Sequence, residues 1–193
     1  MLIPPLAPGQ VCLGVALMVP GPLAQTLAQA RRAFGDPEPS APHVTLIPPT
    51  PLEESAVPGC LAQIRRTAQD FPPFQVHLHG TGTFRPVSPV VYVQLEEGFE
   101  YCQALAERLR PVLPQTCNRF PYHPHVTLAD LTDTEALDRA QYAMNALDEC
   151  FEVLEVAVSE FHPERGWRLL SALPLGGSKP PGQILPPALG DAQ

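Results

Sequence analysis

The stretch from Val11 to Val19 carries no charge and no hydrogen-bonding side chain beyond the thiol of Cys12. It reads as a buried first strand, and it is too short to span a bilayer. Pro22 stands where a helix can begin, and Leu23, Leu27, Ala30 and Phe34 recur at helical spacing up to Gly35-Asp36-Pro37. Pro42 to Ile47 alternates as a second strand, stopped by Pro48-Pro49. Glu53 to Asp70 places Leu61, Ile64 and Ala68 on one face of a second helix. Phe74 to Phe84 and Val90 to Leu95 predict a hairpin around a proline-containing turn. Phe99 to Leu113 is a third helix, with Cys102, Leu105, Ala106 and Leu109 inward. His125 to Leu128 is a short strand, and Asp133 can N-cap a fourth helix reaching about Cys150. Phe151 to Phe161 and Trp167 to Leu173 close the pattern as a hairpin around Glu164-Arg165-Gly166.

The second half of this order repeats much of the first. It predicts an α+β fold of two pseudo-symmetric lobes, with antiparallel sheets facing a central cleft and helices outside. Residues 1–175 form the expected bilobal domain, and the Pro- and Gly-rich residues 176–193 the expected flexible tail. One pentapeptide, Pro-His-Val-Thr-Leu, occurs twice, at Pro42 to Leu46 and at Pro124 to Leu128. Strand side chains alternate, so within each copy the His and the Thr share a face, about 6.5–7 Å apart. Two such strands side by side would present two imidazoles and two hydroxyls to one small anion.

The net charge is −8, which argues against tight nonspecific binding to nucleic acid, where phosphate contacts supply most of the affinity. A phosphorylated small ligand or a nucleic-acid end is still compatible with a local pocket. The five cysteines (Cys12, Cys60, Cys102, Cys117, Cys150) are scattered and form no C-x-x-C pair. They read as reduced thiols of a cytoplasmic protein. No basic n-region of a signal peptide precedes the first strand.

His43-Val44-Thr45-Leu46 and His125-Val126-Thr127-Leu128, about eighty residues apart, resemble the paired His-x-Thr/Ser-x motifs of the 2H phosphoesterase superfamily. The resemblance is to its 2′-5′ RNA ligase or RNA 2′,3′-cyclic phosphodiesterase branch, and it covers roughly residues 10 to 175. The closing Trp167-Arg168-Leu169-Leu170 also resembles the family's last strand. The resemblance implies metal-free opening of a 2′,3′-cyclic phosphate to a 2′-phosphomonoester, with ligation as the reverse reaction. His43 would protonate the leaving 3′ oxygen and His125 would activate water, although the pseudo-symmetry lets these roles exchange. Thr45 and Thr127 would hold the non-bridging oxygens. Where many relatives carry Arg or Lys just after the second motif, this chain has Asp130. Arg85, Arg119, Arg165 and Arg168 are the candidate replacements for that cation.

Imidazole suits both proton transfers because its ordinary pKa lies near neutrality. Phe120 and Tyr122 are candidates for stacking on a base, and Arg119 and Arg168 for contacting phosphate. Phe84 and Tyr92 read first as core residues, and Arg31-Arg32 as a solvated helix face. His77 and His79 form a second His-x-His pair, but no Cys or carboxylate stands near them at a ligand-like spacing, so no metal or cofactor is expected. The expected partners are RNA 3′ ends or small cyclic nucleotides, with no membrane and no obligate protein partner, and the chain is expected to be a monomer. Three rival readings stay open: a phosphodiesterase acting on another small cyclic or 2′-5′ phosphate, a noncatalytic RNA- or nucleotide-binding module, and a metal hydrolase using the extra histidines.

Overall fold

The structure, a computed structural model, describes residues 3–36, 40–113, 120–130, 133–162 and 165–178. Its elements run β1 (Gln10–Met18), α1 (Gly21–Ala33), β2 (His43–Glu53), a 3₁₀ turn (Glu54–Ala56), α2 (Val57–Gln69), β3 (Phe74–Thr83) and β4 (Val90–Glu97). The chain continues with α3 (Phe99–Leu109), β5 (His125–Asp130), α4 (Thr134–Ala143), β6 (Asp148–Val153), β7 (Glu155–His162) and β8 (Gly166–Pro174). The expected α+β class is the one found.

All eight strands join in one antiparallel sheet of order β6-β3-β4-β5-β2-β1-β7-β8. The order is symmetric about its middle. There β2 and β5, the two motif strands, meet through the single pair Val44 and Val126. Each lobe is thus half of this sheet. The sequence neighbours β6 and β7 lie in different halves, six strand positions apart, with only Leu154 between them. Six spacings of about 4.8 Å would separate them by roughly 29 Å in a flat sheet, far beyond what one residue spans. The halves must therefore fold toward each other about the β2–β5 seam.

One hydrophobic core spans both halves. Val44, Leu46, Val126 and Leu128 point into it and are 0–2% exposed, together with Leu27 of α1, Ile64 of α2, Leu105 of α3 and Leu137 of α4. α1 packs on β5 and α3 on β2, so each motif strand is backed by a helix that follows a strand of the other half. Burying each of these leucines contributes about 1.5–3 kcal/mol. The alternation that buries Val and Leu leaves His and Thr half-exposed on the opposite face.

Five boundaries differ from those expected, the first being the third helix, which ends at Leu109 rather than Leu113. β2 does not stop at Pro48-Pro49 but runs to Glu53, paired with β1 through two register shifts. Pro48 and Pro49 fall at the register shift between Ile47 and Thr50, where β1 offers them no register partner, and past Val44 the β5 side is unpaired, so neither breaks a ladder bond. The second helix begins only at Val57, after the 3₁₀ turn, with proline in its first turn. The fourth helix ends at Ala143, and the segment read as one strand from Phe151 to Phe161 is two, β6 and β7, broken at Leu154. Leu175 is buried and the Gly177 N–H donates to the Phe71 carbonyl, so the chain is still packed at the start of the expected tail. The remainder of that tail lies outside the described residues. No helix among the described residues is long and apolar enough to cross a membrane.

Candidate functional site

His43 and His125 open β2 and β5. Each donates from Nδ1 to the carbonyl two residues before it: His43 to Ala41 and His125 to His123, both at 2.7 Å. In the neutral ring this bond places the proton on Nδ1 and leaves the Nε2 lone pair unprotonated. The two halves of the sheet thus hold two imidazoles in the same tautomer by the same local device. Extending the antiparallel register from Val44 and Val126 sets His43 opposite Thr127 and Thr45 opposite His125. The structure therefore brings all four motif residues together on one face of the seam.

Burial holds both imidazoles below their ordinary pKa. For His43 the hydrogen bond to Ala41 opposes this and the charge of Arg31 adds to it. For His125 the bond to His123 opposes it, and the charges of His123 and His43 add to it. The charge of His43 is thus the smallest of these influences on His125.

Two cavities flank the pair. One, of about 430 Å³, is lined by His43, Thr45, Ala41, Met18, Trp167 and Arg168 among others. The second, of about 530 Å³, is lined by His125, Thr45, Phe84, Tyr92, Arg110, Phe120, Tyr122 and His123 among others. Thr45 and Ile47 belong to both. Thr127 lines neither; its register partner on β4 is Tyr92.

Phe120 is 58% exposed on the His125 side. The Tyr122 hydroxyl donates to the Thr45 carbonyl at 3.0 Å, tying the loop before β5 to β2. Burial pushes that hydroxyl far above the usual phenol range, so it acts only as a neutral donor. Arg168 reaches the His43 side but is paired through Nε and Nη2 to the buried Glu160, both at 2.8 Å. Arg85 is bound to Asp138 and Gln141 of α4 and lines neither cavity, and exposed Arg165 lines neither as well. Arg119 lies outside the described residues. Asp130 ends β5, paired in register with Val90 and exposed.

Four features went unread in the sequence. Arg110, just past α3, brings a cation to the His125 side. Arg31 is not a solvated residue: its side chain is 12% exposed and donates to Asp36 at 2.8 Å and to the Ser40 carbonyl at 3.3 Å, bracing the loop that carries Ala41. Phe84 and Tyr92 pack against His125 with ring centroids at 4.9 and 5.2 Å and line its cavity, Tyr92 being buried core and cavity wall at once. A Cβ on Gly82 would lie 2.6 Å from the Tyr92 ring, so only glycine lets that ring lie flat across β3. His123 completes this wall, its ring 6.2 Å from that of His125. Of the residues in this wall, His123 was the one marked in the sequence, by its His-x-His spacing with His125.

A family model described as the 2′-5′ RNA ligase superfamily matches residues 19–164. The chain belongs to this superfamily of 2H phosphoesterases. It is 32% identical over 117 residues to the Halalkalibacterium halodurans protein named Putative phosphoesterase BH1439, a match covering 60% of this chain and 67% of that one. It is 27% identical over 144 residues to the Geobacillus kaustophilus protein named Putative phosphoesterase GK0864, covering 72% and 80%. Among solved structures, TT0787 of Thermus thermophilus superposes with a TM-score of 0.64 at 24% identity, over 87% of this chain and 100% of that one. E. coli LigT complexed with 3′-AMP superposes with a TM-score of 0.64 at 20% identity, over 86% and 98%. These two share the fold.

Proposed function

We propose that this chain opens 2′,3′-cyclic phosphates at RNA or nucleotide ends to 2′-phosphomonoesters, with His43 and His125 as its acid–base pair. The observation that carries this reading is the shared Nδ1 clamp on two imidazoles set diagonally across one seam. Opening the ring by in-line attack needs a proton taken from water on one side of phosphorus and a proton given to the ribose oxygen on the other. Two Nε2 atoms, one bare and one protonated, supply both, so the mechanism needs no metal. His43 is assigned as the acid and His125 as the base. Thr45 and Thr127 hold the non-bridging oxygens as charge develops. Phe120, Tyr122 and His123 form a wall on which a base can stack, with Arg110 beside it and Arg168 on the other side as cationic contacts. E. coli LigT, of the same fold, has been solved complexed with 3′-AMP and with phosphate.

The test is ³¹P NMR of a 2′,3′-cyclic nucleotide incubated with the protein. A single 2′-phosphate product is expected. A 3′-phosphate product would overturn the assignment of the leaving oxygen, and binding without turnover would favour a noncatalytic module. A second reading rests on the two cavities that share Thr45: a phosphodiester seated there has room for a nucleoside on each side. That geometry suits reversible 2′-5′ ligation, which would appear as release of a cyclic phosphate from a 2′-5′-linked dinucleotide.

A further inference from the structure

On β3 the outward-facing His77 and His79 lie beside Glu96 of β4 and Asp148 of β6. One ligand atom each from His77, His79 and Glu96 lie within 4.8 Å of one another. The sequence showed no carboxylate near the two histidines because both acids arrive through strand pairing, from 19 and 71 residues away. We propose that this cluster is a binding site for a divalent transition ion of the zinc class, separate from the motif histidines.

The His77 ring is held as a ligand would be. Its Nε2 is 2.6 Å from Asp148 Oδ1, which in the neutral ring places the proton there and leaves Nδ1 as the lone-pair atom. Nδ1 in turn faces Glu96 Oε2 at 3.3 Å. An imidazole that gives one N–H to a carboxylate and turns its other nitrogen toward further ligands is the usual arrangement of a metal-bound histidine. His79 supplies the second imidazole, its ring 5.8 Å from that of His77. A tetrahedral zinc ion with bonds of about 2.0–2.1 Å sets its ligand atoms roughly 3.4 Å apart. The widest separation must therefore contract by up to about 1.4 Å, and His79 and Glu96, 54% and 59% exposed, are free to make that movement. Two imidazoles and one carboxylate leave the fourth position open to water. The alternative is a plain ion pair, with His77 protonated between two acids.

The site lies on the same sheet face as His125, since Tyr92, Gln94 and Glu96 alternate onto that face and Gln94 is the register partner of His125. A bound ion would join β4 to β3, the strand next to the sheet edge formed by β6. Its expected effect is to staple this half of the sheet.

The full chain should be titrated with Zn²⁺ against a chromophoric chelator, and its Tm followed with added zinc. One equivalent is expected to bind and to raise Tm. H77A and H79A should each abolish both effects, and D148N should weaken binding about 10–100-fold. The double variant H43A/H125A and the single variant C150S should bind as wild type does; Cys150 is the exposed register partner of His77. Absence of saturable uptake, or uptake unchanged in folded H77A and H79A, would overturn the proposal in favour of the ion pair. Uptake lost only in H43A/H125A would overturn it by moving the ion to the motif histidines. None of these results bears on the cyclic-phosphate reading, whose turnover is measured with the ion removed.

Discussion

At the scale of single residues, burial fixes the protonation of the two motif histidines. Both are held below the ordinary value of about 6.5, so each is mostly neutral at pH 7. Under the proposed mechanism the acid must nonetheless carry a proton in the free protein. The bell-shaped profile of kcat/KM is therefore expected to peak on the acid side of about pH 6.5. The kcat profile should lie higher, because a bound phosphate favours the protonated ring. Arg31→Met should move the limb belonging to His43 upward, since it removes a charge that opposes protonation. The same depression governs stability. Below about pH 6.5 the unfolded chain binds protons that the native rings resist. Stability contributed by these rings is thus present above that value and is lost as pH falls through the depressed native values. Denaturant titrations from pH 7 to pH 5 should show this loss, and H43A/H125A should flatten it. The His-plus-Thr units were legible because strand alternation needs no long-range information. The bracing by Arg31 was not, because its partner Ser40 lies across a loop whose path the sequence does not state.

At the scale of elements, Gly82 and the Tyr122 hydroxyl carry the clearest consequences. Gly82→Ala drives a methyl into the rigid Tyr92 ring, which is already wedged against Phe84 and His125. A loss of about 1–3 kcal/mol in chemical denaturation is expected, together with a fall in turnover larger than the unfolded fraction explains. Tyr122→Phe removes the donor to the Thr45 carbonyl and should cost about 1 kcal/mol. Most elements were readable from periodicity. The break at Leu154 was not, because β6 and β7 form one nearly unbroken strand-like pattern. Only the pairing of Phe151 with β3 and of Val158 with β1 separates them. Likewise β2 outlasts Pro48-Pro49 because a bulge against β1 and an unpaired β5 side, neither visible in its own sequence, remove the penalty.

At the scale of the whole molecule, the symmetric strand order turns a sequence repeat into one site. Each half supplies a His, a Val and a Thr, and the two Val residues pair at the centre. The sequence announced the repeat but not that the halves share a single sheet, nor that each motif strand is backed by a helix from beside the other half. In the proposed reaction the two imidazoles together perform the proton transfers without a metal. Its most direct test is the turnover of a 2′,3′-cyclic nucleotide in excess chelator by wild type, H43A, H125A and the double variant. Wild type should turn over undiminished, and each single variant should lose at least about 10²-fold, with the double variant little worse than either. Full activity in either single variant, or loss of wild-type activity on chelation, would rule out a metal-free two-histidine mechanism.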